Sequence, residues 1–520
     1  MTPGVLLGLV GDTGVAGKAG AEVLVVGAGP SGLFAAVELA RHGVRARVVE
    51  RAAQPHRQAR ATALQPGTLE VLHQAGIADR VLEASEHLRF GRVFDSDLRC
   101  VTEMPFAGAG CRWEFQCSLP QWRTEQILTG RLAELGGTVE RGREVVSVCE
   151  QDQDVVVELR RPEGATETVT ASWVIGAGGA ASVTRGSMAE TLLGTTYAGT
   201  ALAADVRVSC GLPRDGSSVI ASPAGYVLLA PLPGDRWLCF IGELDEAEAE
   251  RLDRDRSIAA ITAAIERRVP SGLCVDDVAW ASPFRMHRRL APHLADKRRF
   301  LLGDAGHLSS PFGGEGLNSG LQDAHNLAWK LALAQRGRAR PGLLDSFEAE
   351  RSAADRHVLE VSDDLHRQLA EGAVESARTG VFPPPPSKER LAALVRSRCM
   401  LDVSYAGTPL IGEYLAPGTA RPAGAGPGDR YPGRVDLPGT RHHLLIIGAA
   451  EGPAMAEIAS KWQDLVDITP STADGQQAGL PASTAILVRP DGYIGFRAVP
   501  AGEAGLRALD AHLDSYLVPA

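Results

Sequence analysis

A chain of 520 residues is too long for one hydrophobic core and predicts about two to four domains. Its 44% hydrophobic and 22% charged residues suit a globular protein with sizeable cores, and no stretch approaches the ~20 apolar residues of a membrane span. A formal net charge of -10 excludes nucleic acid or an anionic membrane surface as the main partner, since both need a basic face, and leaves a small organic substrate.

Residues 1–20 hold an apolar run too short for a secretion signal, with no basic residues before it. They predict a loose extension on a cytoplasmic protein. The eight cysteines, at 100, 111, 117, 149, 210, 239, 274 and 399, form no CxxC and no cysteine-histidine array, which predicts reduced thiols and no metal site.

AEVLVVGAGPSGLFAAVELARHGVRARVVE, at 21–50, reads as a strand, a glycine turn, a helix and a second strand. Gly27 permits the tight turn, Gly29 lets the backbone approach a pyrophosphate, and Gly32 lets helix and strand pack closely. Pro30 and Ser31 open a helix whose free N–H groups face the phosphates. Glu50, with Arg51 beside it, ends the second strand 23 positions after Gly27 (50 - 27 = 23). An acid there accepts hydrogen bonds from a ribose without a 2′-phosphate, which leaves FAD and NAD open.

VIGAGGAASVTR, at 174–185, also runs from an apolar strand into a glycine turn, but has no acid and no complete GxGxxG. It is either a second dinucleotide site or one part of a composite site.

Alternating strands follow at 201–209, 225–233 and 236–244, joined by short turns, and predict an antiparallel sheet. Tyr226, Leu228, Trp237 and Phe240 are candidates to face an aromatic ligand, or are plain core. WASPFRMHRRL (280–290) leads out of the sheet; its arginines read as a solvated edge or as an anion site.

RRFLLGDAGHLSSPFGGEGLNSGLQDAHNLAWKLALA (298–334) places a short strand before a glycine-rich turn and a helix whose apolar residues recur at three and four. Gly313, Gly314 and Gly316 let a ligand approach unpaired N–H groups, and such a helix end stabilises negative charge on a flavin ring. Helical sequence from 343 to about 372 then gives way to a stiff connector, VFPPPPSKERL, a helix near 388–400 and a glycine- and proline-rich linker at 422–440. The tail reads β-α-β-β-α with a hairpin turn at 490–492, and no cysteine follows Cys399, so it runs no dithiol chemistry.

GDAGHLSSPFGGEGLNSGLQDAHNLAWKLA resembles the second FAD fingerprint of the class A flavoprotein monooxygenases, the para-hydroxybenzoate hydroxylase fold. The resemblance implies that Asp304 holds the ribityl chain, that Pro311, Gly313 and Gly314 border the isoalloxazine with Gly316, and that the backbone at Leu317 and Asn318 faces its pyrimidine edge. Phe312 and Gly313 join Pro311 as candidates beside the substrate, and His307 is read as structural. RATALQPGTLEVLHQAGI (60–77) and LPQWRTEQIL (119–128) are similar to two further family segments, which puts Arg60 and Gln121 on the cofactor. LLDSFEAERSAADRHV (343–358) is similar to the helix after the flavin site, with Glu350 and Arg351 as a structural pair. VIGAGGAASVTR matches the family's middle FAD segment, which makes the site single. It has Gly178 where the family has an aspartate serving both FAD and nicotinamide use.

Two readings of Gly178 follow: drift, with FAD held by the other contacts, or reduction by NAD(P)H that is slow, gated by substrate or replaced. The expected fold is α/β and α+β: a discontinuous Rossmann-like FAD-binding domain (21–185 and 281–385), an inserted antiparallel-sheet substrate domain (186–280), a helix and linker (386–440) and a thioredoxin-like domain (441–520). The implied protein is a monomer or homodimer of specialised metabolism. It hydroxylates an aromatic or polyketide substrate with FAD, NAD(P)H and O2, through a flavin C4a-hydroperoxide. The rivals are a Baeyer–Villiger or epoxidising enzyme on the same scaffold, an atypical oxidase or redox-neutral flavoenzyme, a plain NAD dehydrogenase, and a scaffold that holds FAD without turnover.

Overall fold

The computed structural model describes residues 20–57, 61–270, 272–384, 386–432, 439–448, 452–471, 481 and 483–520. Val23, Leu24, Val25 and Val26 are buried on both faces of a parallel sheet, which is why their strand reads as an unbroken apolar run. That strand, Gly20–Val26, lies between Ala46–Glu50 and Thr166–Gly176, and Arg299–Leu301 extends the parallel set. Helices Pro30–Arg41 and Gly316–Gln335 cover one face in a core with Leu33, Phe34, Leu327 and Phe347. The strands Glu144–Gln151 and Asp154–Arg160 pack Val145, Val155 and Val157 over the other. Of the predicted N-terminal extension only Gly20 is described, and it pairs with Thr170.

The second sheet has eight strands, in the order His307–Leu308, Leu273–Leu290, Leu193–Cys210, Arg236–Leu244, Gly225–Pro231, Gly216–Ser222, Phe90–Phe94 and Cys100–Pro105. It reaches beyond the expected span of 186–280 at both ends. The reason is non-local: Phe90–Phe94 pairs in parallel with Gly216–Ser222, a partner that no local pattern announces. One face packs on helices Glu246–Arg254 and Ile258–Glu266.

The tail is a five-stranded sheet. Thr484–Val488 and Ile494–Val499 are separate strands around the 490–492 turn, so among the described residues the order is β-α-β-β-β-α instead of the expected β-α-β-β-α. Gly412–Leu415, from the linker, adds a parallel edge strand to Ile494–Val499. Among the described residues no helix is long and apolar enough to cross a membrane.

Candidate functional site

Register brings the three glycine segments together. Val26 pairs with Gly176 and Gly176 with Leu301, so the turns at 27–32, 177–185 and 303–307 leave adjacent parallel strands at one carboxyl edge. That edge is where open α/β sheets bind ligands. The 174–185 segment thus lies between the other two at that edge.

Gly27 has φ +108, and a Cβ there would strike the Ala177 carbonyl; one on Gly32 would strike that of Gly27. Gly29 differs, because a Cβ on it would meet nothing within 4 Å: it opens on free space at the mouth of Pro30–Arg41. No side chain caps this helix, so its first N–H groups are left for an anion. Glu50 fixes the turn by accepting from Ala28 N at 2.9 Å and Ala52 N at 2.8 Å. Arg51 is exposed. Ser31 packs against Gly303 and Gly320 and so joins the helix to the 303–307 segment. Gln121 opens helix Gln121–Glu134 and donates to Glu125 Oε1 at 2.9 Å. Arg60 lies outside the described residues.

Gly178 has φ -79 and ψ 13, and a Cβ on it would meet nothing closer than Ser182 Cα at 3.7 Å. The backbone therefore admits an aspartate. Arg185 fastens the segment to its neighbour, donating to the carbonyl oxygens of Ala180 at 2.6 Å and Ala305 at 3.0 Å.

Asp304 is exposed on the short turn Gly303–Ala305, while His307 three residues on is buried. The His307 Nε2 lies 2.9 Å from Asp323 Oδ2 and 3.6 Å from Asp355 Oδ1, and Arg351 completes the group through Nε on Asp323 at 2.7 Å. Burial pushes the imidazole down, but Asp355 and Asp323 outweigh it and carry it up to about 9. This is a closed structural network already holding its own cation. Glu350 and Arg351 are both structural but do not pair with each other: Glu350 binds Lys330 and Arg489, while Arg351 binds Asp323 and Asp355. Consecutive helical residues point about 100° apart, so neighbours in sequence serve different partners.

Gly313 and Gly314 take left-handed backbone, at φ +85 and +67, and a Cβ on Gly314 would strike Ala63. Gln65 Nε2 donates to the Gly313 carbonyl. Asn318 spends its side chain inside the protein, donating to Ala63 O at 2.9 Å and to Gly314 O, and accepting from Gln65 N at 2.9 Å. Its backbone, with those of Gly316 and Leu317, opens the uncapped helix Gly316–Gln335. No motif marks Glu315, yet it is 1% exposed, and neither carboxyl oxygen has a hydrogen-bond partner among the described residues. Burial pushes this carboxyl well above the usual range, Asp402 adds to the effect and Arg398 opposes it. A glutamate set between two glycines of a buried turn was the available signal.

Beside this turn a narrow apolar pocket, with room for about one water molecule, is lined by Tyr226, Leu228, Phe240, Pro311 and Phe312, with Phe284 and Met286 from the strand Leu273–Leu290. Tyr226 and Phe312 meet edge to face at 5.3 Å. Gly313 is outside the lining, and Trp237 is on the wrong face: it packs with Cys239 and Ile241 on the helix-covered side, one residue out of phase with Leu238 and Phe240. Behind Phe312 lies a further group absent from the sequence reading. His366 accepts or donates at 3.1 Å to Ser310 Oγ and stacks at 4.3 Å on Tyr197, whose hydroxyl donates to Asp363.

A model of the FAD binding domain matches residues 20–362, and one described as aromatic-ring hydroxylase, C-terminal, matches residues 418–517. A 6-methylpretetramide 4-monooxygenase of Streptomyces rimosus is 34% identical over 537 residues, with 94% of this chain and 93% of that one covered. A pentachlorophenol 4-monooxygenase of Sphingobium chlorophenolicum is 28% identical over 516 residues, covering 96% and 89%. Among solved structures, the anhydrotetracycline hydroxylase OxyS of Streptomyces rimosus superposes with a TM-score of 0.75 at 30% identity, over 96% of this chain and 100% of that one. An aklavinone-11 hydroxylase in complex with FAD and aklavinone gives 0.78 at 26%, over 95% and 98%.

Proposed function

Because the chain belongs to the FAD-binding aromatic-ring hydroxylases, we propose that it adds a hydroxyl group to an aromatic or polyketide substrate whose ring meets the wall formed by Tyr226, Phe240 and Phe312. It is an FAD-dependent monooxygenase of the kind found in antibiotic biosynthesis, with NAD(P)H and O2 as co-substrates. The observation that carries the substrate class is the chemistry of this narrow pocket's lining. Its lining is aromatic and aliphatic, the Tyr226 hydroxyl is its one polar side-chain group, and Pro311 and Phe312 bring it against the glycine turn. Flat apolar rings fit such a wall and a charged substrate does not.

The residues present fit FAD. The uncapped helix behind Gly29 and Pro30 receives the pyrophosphate, with Gly27, Ser31 and Gly32 shaping the turn. Glu50 retains lone pairs for the adenosine ribose beyond its two backbone bonds, and Arg51 stands beside it. Asp304, exposed at the same edge, would hold the ribityl chain, with Gln121 at the start of helix Gln121–Glu134 as a further contact. Pro311, Gly314, Gly316, Leu317 and Asn318 offer backbone to the flavin ring, where the helix end stabilises negative charge. The chemistry that bound FAD supplies is activation of O2 with electrons from NAD(P)H. Tyr226, Phe240 and Phe312 hold the acceptor ring and keep water out.

The test is anaerobic reduction of the purified holoenzyme by NADH and NADPH across a panel of polycyclic phenols, followed by oxygen and mass analysis. The expected product gains one oxygen atom as a ring hydroxyl. A lactone or epoxide would replace hydroxylation by the rival reactions on this scaffold, and failure of every substrate to stimulate O2 uptake would sink the proposal.

A further inference from the structure

The helix Gly316–Gln335 starts at the flavin turn, and the residue at its N-cap position is Glu315. A glutamate placed there can cap the helix or pair with a cation, and Glu315 does neither. Its side chain makes no capping hydrogen bond, and both carboxyl oxygens are buried without a partner among the described residues. Packing alone does not account for a buried polar group left in this way, because an apolar side chain would fill the space without the desolvation penalty.

The carboxyl is folded back against the turn. A Cβ placed on Gly313 would meet Leu365 Cδ1 of helix Gly342–His366 at 3.0 Å and Glu315 Oε1 at 3.2 Å. Gln65, just ahead of helix Pro66–Gln74, holds the Gly313 carbonyl through Nε2, and its own Oε1 is buried without a partner. Two charged groups act on the carboxyl, from the end of helix Lys388–Arg398 and the residues after it. Arg398 favours ionisation but makes no ion pair with Glu315, and Asp402, itself paired with His357 at 3.0 Å, opposes it.

The sign of the charge at this helix end matters to the flavin. The first N–H groups of a helix carry a partial charge equivalent to about +0.5, which lets the turn stabilise electrons on the ring. An ionised Glu315 would set a full negative charge at the same helix end and reverse that field. A neutral Glu315 leaves it intact.

We propose that Glu315 is a positioning residue for the redox chemistry: a neutral acid behind the flavin turn that preserves the positive helix end and holds its proton more tightly when FAD takes up electrons. The two effects are one coupling seen from either side, since a negative flavin opposes a carboxylate as much as a carboxylate opposes a negative flavin. The electrons go to FAD, and Glu315 neither gains nor loses a proton; its C=O bond registers the new charge. The inference rests on FAD occupying the turn and does not depend on which substrate is hydroxylated.

The FAD-loaded enzyme is reduced electrochemically in an infrared cell without oxygen, so the outcome is independent of NADH, NADPH and substrate. In the reduced-minus-oxidised difference spectrum, a protonated-carboxyl C=O band is expected to shift on reduction, to respond to glutamate labelled with 13C at the side-chain carboxyl, and to be lost in E315Q. Where E315Q does not retain FAD, E315D answers the same question: the band persists and no longer responds to the glutamate label. In the same cell at pH 7, the ratio of reduced to oxidised flavin in E315Q at a fixed potential is expected to stay within about threefold of wild type, because one neutral group replaces another. Absence of a label-sensitive protonated-carboxyl band in wild type overturns the proposal, as does a band that keeps its label response in E315Q or E315D. A rise of about tenfold or more in that ratio in E315Q also overturns it, since that is the effect of removing a negative charge.

Discussion

Glu315 and Gly178 are single residues that decide how the flavin turn behaves. A buried carboxyl with two unpartnered oxygens keeps its proton, because ionising it in an apolar turn is unfavourable. Its folded pKa lies above the ordinary value, so the folded state holds a proton that the unfolded chain releases. Stability is therefore greatest below about pH 4.5 for this group and falls as pH rises, by about 1.4 kcal/mol per unit until the folded pKa is reached. Glu315→Gln cannot ionise and escapes this loss. We expect its melting temperature to exceed that of the wild type at pH 8 and the gap to narrow toward pH 5; a gap that does not change with pH would show that Glu315 is charged in the fold. Gly178 offers the opposite experiment, because its backbone already tolerates a side chain. Gly178→Asp should fold with unchanged stability and bind FAD up to about fivefold more tightly, the equivalent of one added hydrogen bond of about 1 kcal/mol. Its anaerobic bleaching by NADPH should stay within twofold of wild type. A large acceleration would instead assign the missing acid to the reductive half-reaction.

Helix Gly316–Gln335 shows how one element carries two buried networks. Ser319 and Asp323, four apart, face Arg351 and Asp355, whereas Asn326 and Lys330, also four apart, face Glu350. Against the burial that pushes it up, Arg489 and Lys330 hold the Glu350 carboxyl down to about 2. This contribution is complete above about pH 4.5 and is lost as pH falls toward 2. Removing the carboxylate leaves Lys330 and Arg489 sharing Asp491 in a buried site, so Glu350→Gln should lower unfolding stability by about 3–5 kcal/mol at pH 7, read as a shift in the denaturant midpoint. Elements of this kind were legible where chemistry is local. The strand-turn-helix at 21–50, the 303–316 turn and the period-two face of Tyr226 and Leu228 all follow from short windows. Trp237 was misplaced because a one-residue offset in a strand reverses its face, and both faces of this sheet are apolar. Glu350 could not be matched to Arg489, 139 positions away, because no local period connects them.

At the scale of the whole molecule, that same cluster determines whether the tail is an appendage or part of the fold. Trp329, Leu333 and Leu343, from the two helices behind the flavin turn, share one buried core with Leu444, Trp462, Phe496 and Leu513 of the tail. Asp491 accepts from Trp329 Nε1 at 3.3 Å and Asn326 Nδ2 at 3.1 Å, and Arg489 crosses to Glu350 at 2.6 Å, so the apolar contact has a buried ionic centre. Arg338 adds a hydrogen bond to Val518 O at 2.7 Å and an ion pair with Asp464. A domain joined only by its linker would melt independently, but one whose removal uncovers a tryptophan, takes Arg489 from Glu350 and takes Asp491 from Asn326 and Trp329 cannot. Calorimetry of the FAD-loaded chain should therefore give a single transition in which tail and flavin environment are lost together. Glu350→Gln should move that transition down without splitting it. A chain ending at residue 432 should fail to retain FAD, because Lys330 and Glu350 lie on the helices that form the flavin turn. Two resolved transitions in the intact protein, or a truncated chain that binds FAD normally, would make the tail a separable domain and reduce the buried cluster to a docking contact.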